Sequence, residues 1–189
     1  MESVAVSQVV GVMQPLGVWW AVAGGWAIDL WVGRQTRDHH DVEVVVRRAD
    51  QRAVWDALHD DWELLGLDPP GSGWTPWLRG SEMVPPSFQL KARASGFEFD
   101  LFLESTTEDT WCFRRDGRIR RPINRMFSVR SGIPIVAPEV QLLYMAKSEE
   151  PKNQHDFETV RSMLDQDASR WLRDALGLVH PGHRWLDAL

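Results

Sequence analysis

Asp41 and Glu43 stand two residues apart, separated by Val42 and followed by Val44, Val45 and Val46. Residues i and i+2 of a strand point to the same face, so this spacing brings two carboxylates side by side and turns the valines between them the other way. Like charges that close raise each other's pKa and weaken the fold unless a cation joins them. A hard divalent cation with oxygen ligands resolves the conflict, and Mg²⁺ is the usual one where phosphates complete its shell. A third acid, Asp100, sits in Gly96-Phe-Glu-Phe-Asp-Leu-Phe-Leu-Glu104 and reaches the same place if that strand lies beside the first. A solvated, acidic sheet face is the other reading of an isolated Asp-x-Glu. Upstream, Gly24 and Gly25 follow the apolar run from Val18. A glycine turn that opens a helix lets backbone N–H groups approach a phosphate closely.

These residues need elements to hold them. Residues 4–14 read as an amphipathic helix stopped near Pro15, and 18–24 as a buried strand ending in the glycine turn. Helical spacing then runs to Gly33, and the acidic segment continues into a β-branched central strand. A helix is expected over residues 49–61, with Trp55 and Leu58 facing inward, followed by a loop at Pro69–Pro76. Two hairpins follow, turning at Ser95-Gly96 and at Asp116-Gly117. Residues 133–137 form a short strand, Pro138 opens a helix, and the rest is helical, with Asp167 as an N-cap. The fold class is therefore α/β (α+β): a mixed sheet flanked by helices with a C-terminal helical part. The expected division is 1–137 and 138–189, with a cleft between sheet and helices as the natural place for a site.

The constellation resembles the nucleotidyltransferase superfamily of polymerase-beta-like fold. That superfamily has a glycine turn, a helix, an Asp-x-Asp/Glu strand and a later acidic strand. The segment from Gly24 to Glu43, GGWAIDLWVGRQTRDHHDVE, is similar almost position for position to the small aminoglycoside nucleotidyltransferases. Residues 97–104 and the helical stretch 138–160 follow the family at the level of pattern. The resemblance implies that Gly24 and Gly25 hold the triphosphate through the backbone. It implies that Asp41 and Glu43 bind Mg²⁺, and that Asp100 completes the metal site or takes the proton of the acceptor hydroxyl. Arg37 would contact phosphate or brace the acidic strand, and Lys147 and Lys152 would lie near the nucleotide. Glu43 replaces the second Asp of the nearest relatives, His40 another Asp, and Asn153 the Asp of a Pro-Lys-Asp motif. The implied activity is transfer of a nucleoside monophosphate, AMP from ATP being favoured, to a hydroxyl of a small, cationic, aminoglycoside-like acceptor. The alternative is a nucleotidyltransferase-fold antitoxin or regulatory module that binds nucleotide or attaches AMP to a protein partner.

Composition bounds this reading. The chain has 189 residues, with 43% apolar and 25% charged, enough for a core in one domain or two small lobes. A net charge of -6 argues against a nucleic-acid partner and suits a cationic one. A polymerase of the same superfamily is disfavoured for that reason. One cysteine, Cys112, excludes an internal disulfide and suits a reducing cytoplasm. No run is apolar enough to span a membrane. Cys112, between Trp111 and Phe113, reads as a small buried hydrophobe; Glu98 and Glu104 read as solvated acids. The basic stretch Arg114–Arg125 reads as a solvated hairpin or, alternatively, as a phosphate or acidic-partner contact.

Overall fold

A computed structural model describes residues 4–189. Val4–Met13 forms helix α1 and Trp20–Ala23 forms strand β1, which is buried along its whole length. Helix α2, Gly24–Val32, starts directly at the end of β1 and stops at Gly33, whose φ of 83° is the left-handed conformation of a glycine cap. Strand β2 covers Glu43–Arg47, so Asp41 lies just ahead of it, not within it. Helix α3 (Gln51–Leu58) leads to β3 (Glu63–Leu67) and a two-residue β4 (Thr75–Pro76). The hairpin strands are β5 (Gln89–Ala94) and β6 (Phe97–Thr106). Between them, Ser95 and Gly96 have φ values of 48° and 79°, both positive as a tight two-residue hairpin turn requires. A second, shorter hairpin follows, β7 (Thr110–Cys112) and β8 (Arg120–Pro122), then β9 (Phe127–Arg130) and β10 (Ile133–Val136). Helices α4 (Pro138–Met145), α5 (Pro151–Val160) and α6 (Gln166–Val179) complete the chain. The cap of α6 is Asp165, which accepts from the Ala168 N–H, and not Asp167, which falls inside the first turn.

The strands join in the order β4-β3-β5-β6-β2-β1-β10-β9, with β7 and β8 branching from the far end of β6. β2 runs parallel to β6, and β1 parallel to β10, while the other pairs are antiparallel, so the sheet is mixed. The β2–β6 register places Glu43 directly opposite Asp100, Val45 opposite Phe102 and Arg47 opposite Glu104.

Each face of the sheet has its own apolar core. One gathers α1, Val44, Val46, Leu101 and Leu103; the other gathers Ala21, Ala23 and Val45 with residues of α4, α5 and α6. Period-2 alternation explains the split: the valines flanking Val45 point away from it. The C-terminal helices thus cover the face that carries Glu43 and Asp100, and a cavity remains between them. Among the described residues, no helix is long and apolar enough to cross a membrane.

Candidate active site

The cavity has a volume of about 400 Å³. Gly24, Gly25, Arg37, Asp41, Glu43 and Lys152 are on its wall; Lys147 is exposed and is not, and Asp100 lies beside it.

At the glycine turn, Gly24 has a φ of +66°, and a Cβ there would overlap the Glu43 carboxylate. Glycine is required on both counts: backbone conformation and close approach. A Cβ on Gly25 would collide with Arg37 and the His39 ring. The Gly24 N–H donates to Gln141 Oε1 of α4 at 2.9 Å, so this amide is already engaged by the protein. The triphosphate contact expected at Gly24 therefore requires that bond to give way, or falls to the N–H groups after it at the start of α2.

Glu43 accepts no hydrogen bond from any described residue and is half-buried. Burial, followed by the charges of Asp41 and Asp100, pushes its carboxyl up from 4.5 to about 7; the charges of Lys152 and Arg114 act in the opposite direction. Glu43 thus feels both of the other acids. Asp100 is buried and held: Oδ2 accepts from Gln89 Nε2 at 3.0 Å, and Oδ1 lies 3.1 Å from the Lys91 ammonium without a well-aligned hydrogen bond. Lys91 also pairs with Glu98, at 2.8 Å.

These donors fit a hard cation in kind, being all carboxylate oxygens with an excess of negative charge at Glu43. Among the described residues, no group of three or more His, Cys, Asp or Glu is gathered to hold a metal ion by itself. Mg²⁺ does not ask for such a cage: one or two carboxylates plus substrate phosphates and water are its ordinary shell.

A polar scaffold holds the acidic segment. Asp29 is buried in α2; it accepts from the Thr36 N–H at 3.1 Å and Oγ1 at 2.5 Å, and pairs with His39 Nε2 at 2.5 Å. Burial is the largest single influence on the Asp29 carboxyl and raises it, but the hydrogen bonds from His39 and Thr36 and the charge of His39 together outweigh it and hold the carboxyl low. Arg37 forks onto Asp156 of α5, with Nε and Nη2 at 2.9 and 2.8 Å, and Nη1 reaches the His39 ring at 3.1 Å. Arg37 thereby ties the segment before Asp41 to the helical part, as a bracing residue would, and it remains on the cavity wall. The buried His39 ring is held by Asp29 and lies against Trp26. Lys152 is exposed and pairs with Glu150 at 3.2 Å on the cavity rim.

The other end of the cavity was not anticipated. Glu104, expected in solvent, is fully buried and accepts three hydrogen bonds of 2.7 Å, from Trp111 Nε1, Arg114 Nη1 and Tyr144 OH. The Arg114 guanidinium lies between the rings of Phe88 and Tyr144, 4.2 and 4.3 Å from their centroids. Part of the basic stretch is therefore not a solvated hairpin: Arg114 enters the cavity, and Arg121 pairs with buried Glu139 at 2.9 Å. Cys112 is only half-buried. The one available signal for Glu104 was its place on the period-2 face of Asp100. Asp156 is also fully buried.

Residues 5–63 match the family model of aminoglycoside-2''-adenylyltransferase. The fold is similar to that of the lincosamide antibiotic adenylyltransferase LnuA in its lincomycin-bound crystal structure, with a TM-score of 0.59 and 16% identity, covering 87% of this chain and 99% of that one. It is similar also to ANT(2'')-Ia in complex with adenylyl-2''-tobramycin, with a TM-score of 0.59 and 14% identity over 92% and 96% of the two chains. The solution structure of ANT(2'')-Ia gives a TM-score of 0.56 at 15% identity, over 93% and 91% of the two chains. No curated protein matches significantly in sequence. The chain thus shares the fold of these antibiotic adenylyltransferases, and its residues 5–63 resemble the aminoglycoside-2''-adenylyltransferase family.

Proposed function

We propose that the protein transfers a nucleoside monophosphate, AMP from ATP, to a hydroxyl of a small antibiotic-like molecule, with Mg²⁺ as cofactor. The observation that carries this reading is the pairing of Glu43 with Asp100 across parallel strands, with Gly24 pressed against the Glu43 carboxylate at the start of a helix. Asp41, Glu43 and the phosphates would hold the cation, which when bound offsets negative charge on the attacking and leaving oxygens. The start of α2 would take the β- and γ-phosphates, where backbone N–H groups and the helix dipole favour anions. Lys152 on the rim would add charge there.

In the reaction, the acceptor oxygen forms a bond to the α-phosphorus. The bond from that phosphorus to the bridging oxygen breaks, and pyrophosphate leaves with the electron pair. The hydroxyl proton goes to a carboxylate, for which Asp100 is the candidate once Lys91 and Gln89 yield an oxygen. Most of the protein's work is positioning and charge stabilisation. Arg37 and His39 contribute by fixing the segment that carries Asp41.

The test is product formation. The protein is incubated with Mg²⁺, each of the four nucleoside triphosphates and a panel of hydroxylated antibiotics including lincomycin and tobramycin. The reading expects pyrophosphate release and an acceptor heavier by one nucleoside monophosphate. Absence of product with every nucleotide and acceptor contradicts it.

A further inference from the structure

Gln141, on α4, is 6% exposed and stands on the cavity wall. Its Oε1 accepts from the Gly24 N–H at 2.9 Å. A backbone N–H can only donate, so this bond fixes which end of the side chain is oxygen and which is nitrogen. Nε2 therefore lies no more than about 5 Å from the Gly24 nitrogen, one amide width beyond the oxygen. It has no hydrogen-bond partner among the described residues, and it is not one of the unpartnered polar atoms sealed off from solvent. The open end of this buried side chain is thus its donor end, and the space it opens on is the cavity.

The neighbouring acid does not use this donor. Glu43 presses against Gly24 so closely that a Cβ there would overlap its carboxylate, yet it accepts no hydrogen bond from Gln141. The amide is also neutral. A lysine or arginine in its place would pair with Glu43 and take the position of a cation, whereas glutamine donates without adding charge. A buried, uncharged, unpartnered donor beside a helix start and an uncompensated carboxylate suits an anionic oxygen that arrives with its own metal.

We infer that Gln141 binds the triphosphate: Oε1 stays on the Gly24 N–H while Nε2 donates to a phosphate oxygen at the glycine turn. This rests on the nucleotidyl-transfer reading, which puts the triphosphate at the start of α2. The Gly24 N–H then need not be released, because the side chain that occupies it supplies a donor in its place. One residue both braces the turn and contacts the ligand that the turn receives.

The test combines nuclear magnetic resonance and calorimetry on the full chain. In nitrogen-15-labelled protein, the Gln141 side-chain amide signals are assigned by their disappearance in Gln141→Met, a neutral, unbranched replacement without a donor. Where that variant does not fold, Gln141→Glu, which keeps an acceptor for the Gly24 N–H, serves for the assignment and for the affinity comparison. The probes are a non-hydrolysable ATP analogue and inorganic tripolyphosphate, each with Mg²⁺. The inference expects both probes, at saturation, to move the Gln141 amide protons downfield. It expects the variant to bind the ATP analogue at least about tenfold more weakly than wild type, since a hydrogen bond to a charged group is lost. A residue that only braced the turn would keep its amide signals in place. The inference is overturned if either probe leaves those signals unmoved, or if the variant loses less affinity than that. Wild type that binds no nucleoside triphosphate analogue at all counts against nucleotidyl transfer itself; wild type that binds one without moving the Gln141 signals counts against this inference alone.

Discussion

Glu43 and Glu104 lie on the same cavity, at its two ends, and the chain treats them in opposite ways. Glu104 is fully buried yet completely satisfied, by an indole, a guanidinium and a phenol. Glu43 faces two further carboxylates and is left without a donor, so its carboxyl is pushed up to about 7. A fold that can build the first arrangement has no need to leave the second unresolved for stability's sake. Uncompensated charge in a cleft is where a protein keeps a site for something it binds. Glu104 is thus part of the architecture of the cavity, whereas Glu43 is the group that the proposed function assigns to a cation.

The comparison can be broken most severely at Glu104. Replacing it with Ala strands Arg114 in a low-dielectric pocket and leaves Tyr144 and Trp111 without an acceptor, so chemical denaturation should show a loss of roughly 3–5 kcal/mol. A change below about 1 kcal/mol would show that the cluster is not holding the cavity together.

Glu43→Gln should do the reverse in the metal-free protein. A carboxyl raised from 4.5 to about 7 keeps its proton in the folded state across that window, where the unfolded chain has lost it. Folded stability therefore falls as pH rises from about 4.5 to 7, and stays lowered above. Glu43→Gln should raise stability at pH 8 by up to about 3 kcal/mol and change it little at pH 4. Thermal denaturation against pH, in a chelator, checks this. An unchanged or lowered stability at pH 8 would mean that Glu43 is not strained.

Gly24→Ala drives a methyl group into the Glu43 carboxylate from a backbone angle that alanine resists. A cost of about 1–3 kcal/mol is expected, together with loss of nucleotide binding. The smallest effect separates two lysines that the resemblance treats alike. Lys152, on the cavity rim, should weaken nucleotide binding several-fold when changed to Ala. Lys147, exposed and off the wall, should leave it within about twofold. Equal effects would mean that the bound nucleotide extends beyond this cavity.

How far the sequence could be read follows the same division. Glu43 and Asp100 were legible because strand periodicity is local, and one parallel register sets them side by side; Asp41 lies ahead of the strand, where that alternation does not apply. The Ser95-Gly96 turn, the Gly33 stop and the Pro138 start were legible because their chemistry belongs to one or two residues. Glu104 was not, since its donors come from positions 7, 10 and 40 residues away. Asp156 was hidden likewise, its partner Arg37 lying 119 residues earlier. Strands β3 and β9 were missed for a different reason: each is short and carries few β-branched residues, and the sheet, not local propensity, forms them. The misplaced cap of α6 reflects two candidates, Asp165 and Asp167, two residues apart in one segment.

The central claim is that the acidic end of the cavity binds a metal–nucleotide complex. Calorimetric titration of a non-hydrolysable ATP analogue, with and without Mg²⁺, into wild type and Asp41→Asn tests it most directly. The account predicts binding to wild type only when Mg²⁺ is present, and at least about tenfold weaker binding to Asp41→Asn. Binding that is indifferent both to Mg²⁺ and to Asp41, or no binding of this or any other nucleoside triphosphate analogue, would contradict it.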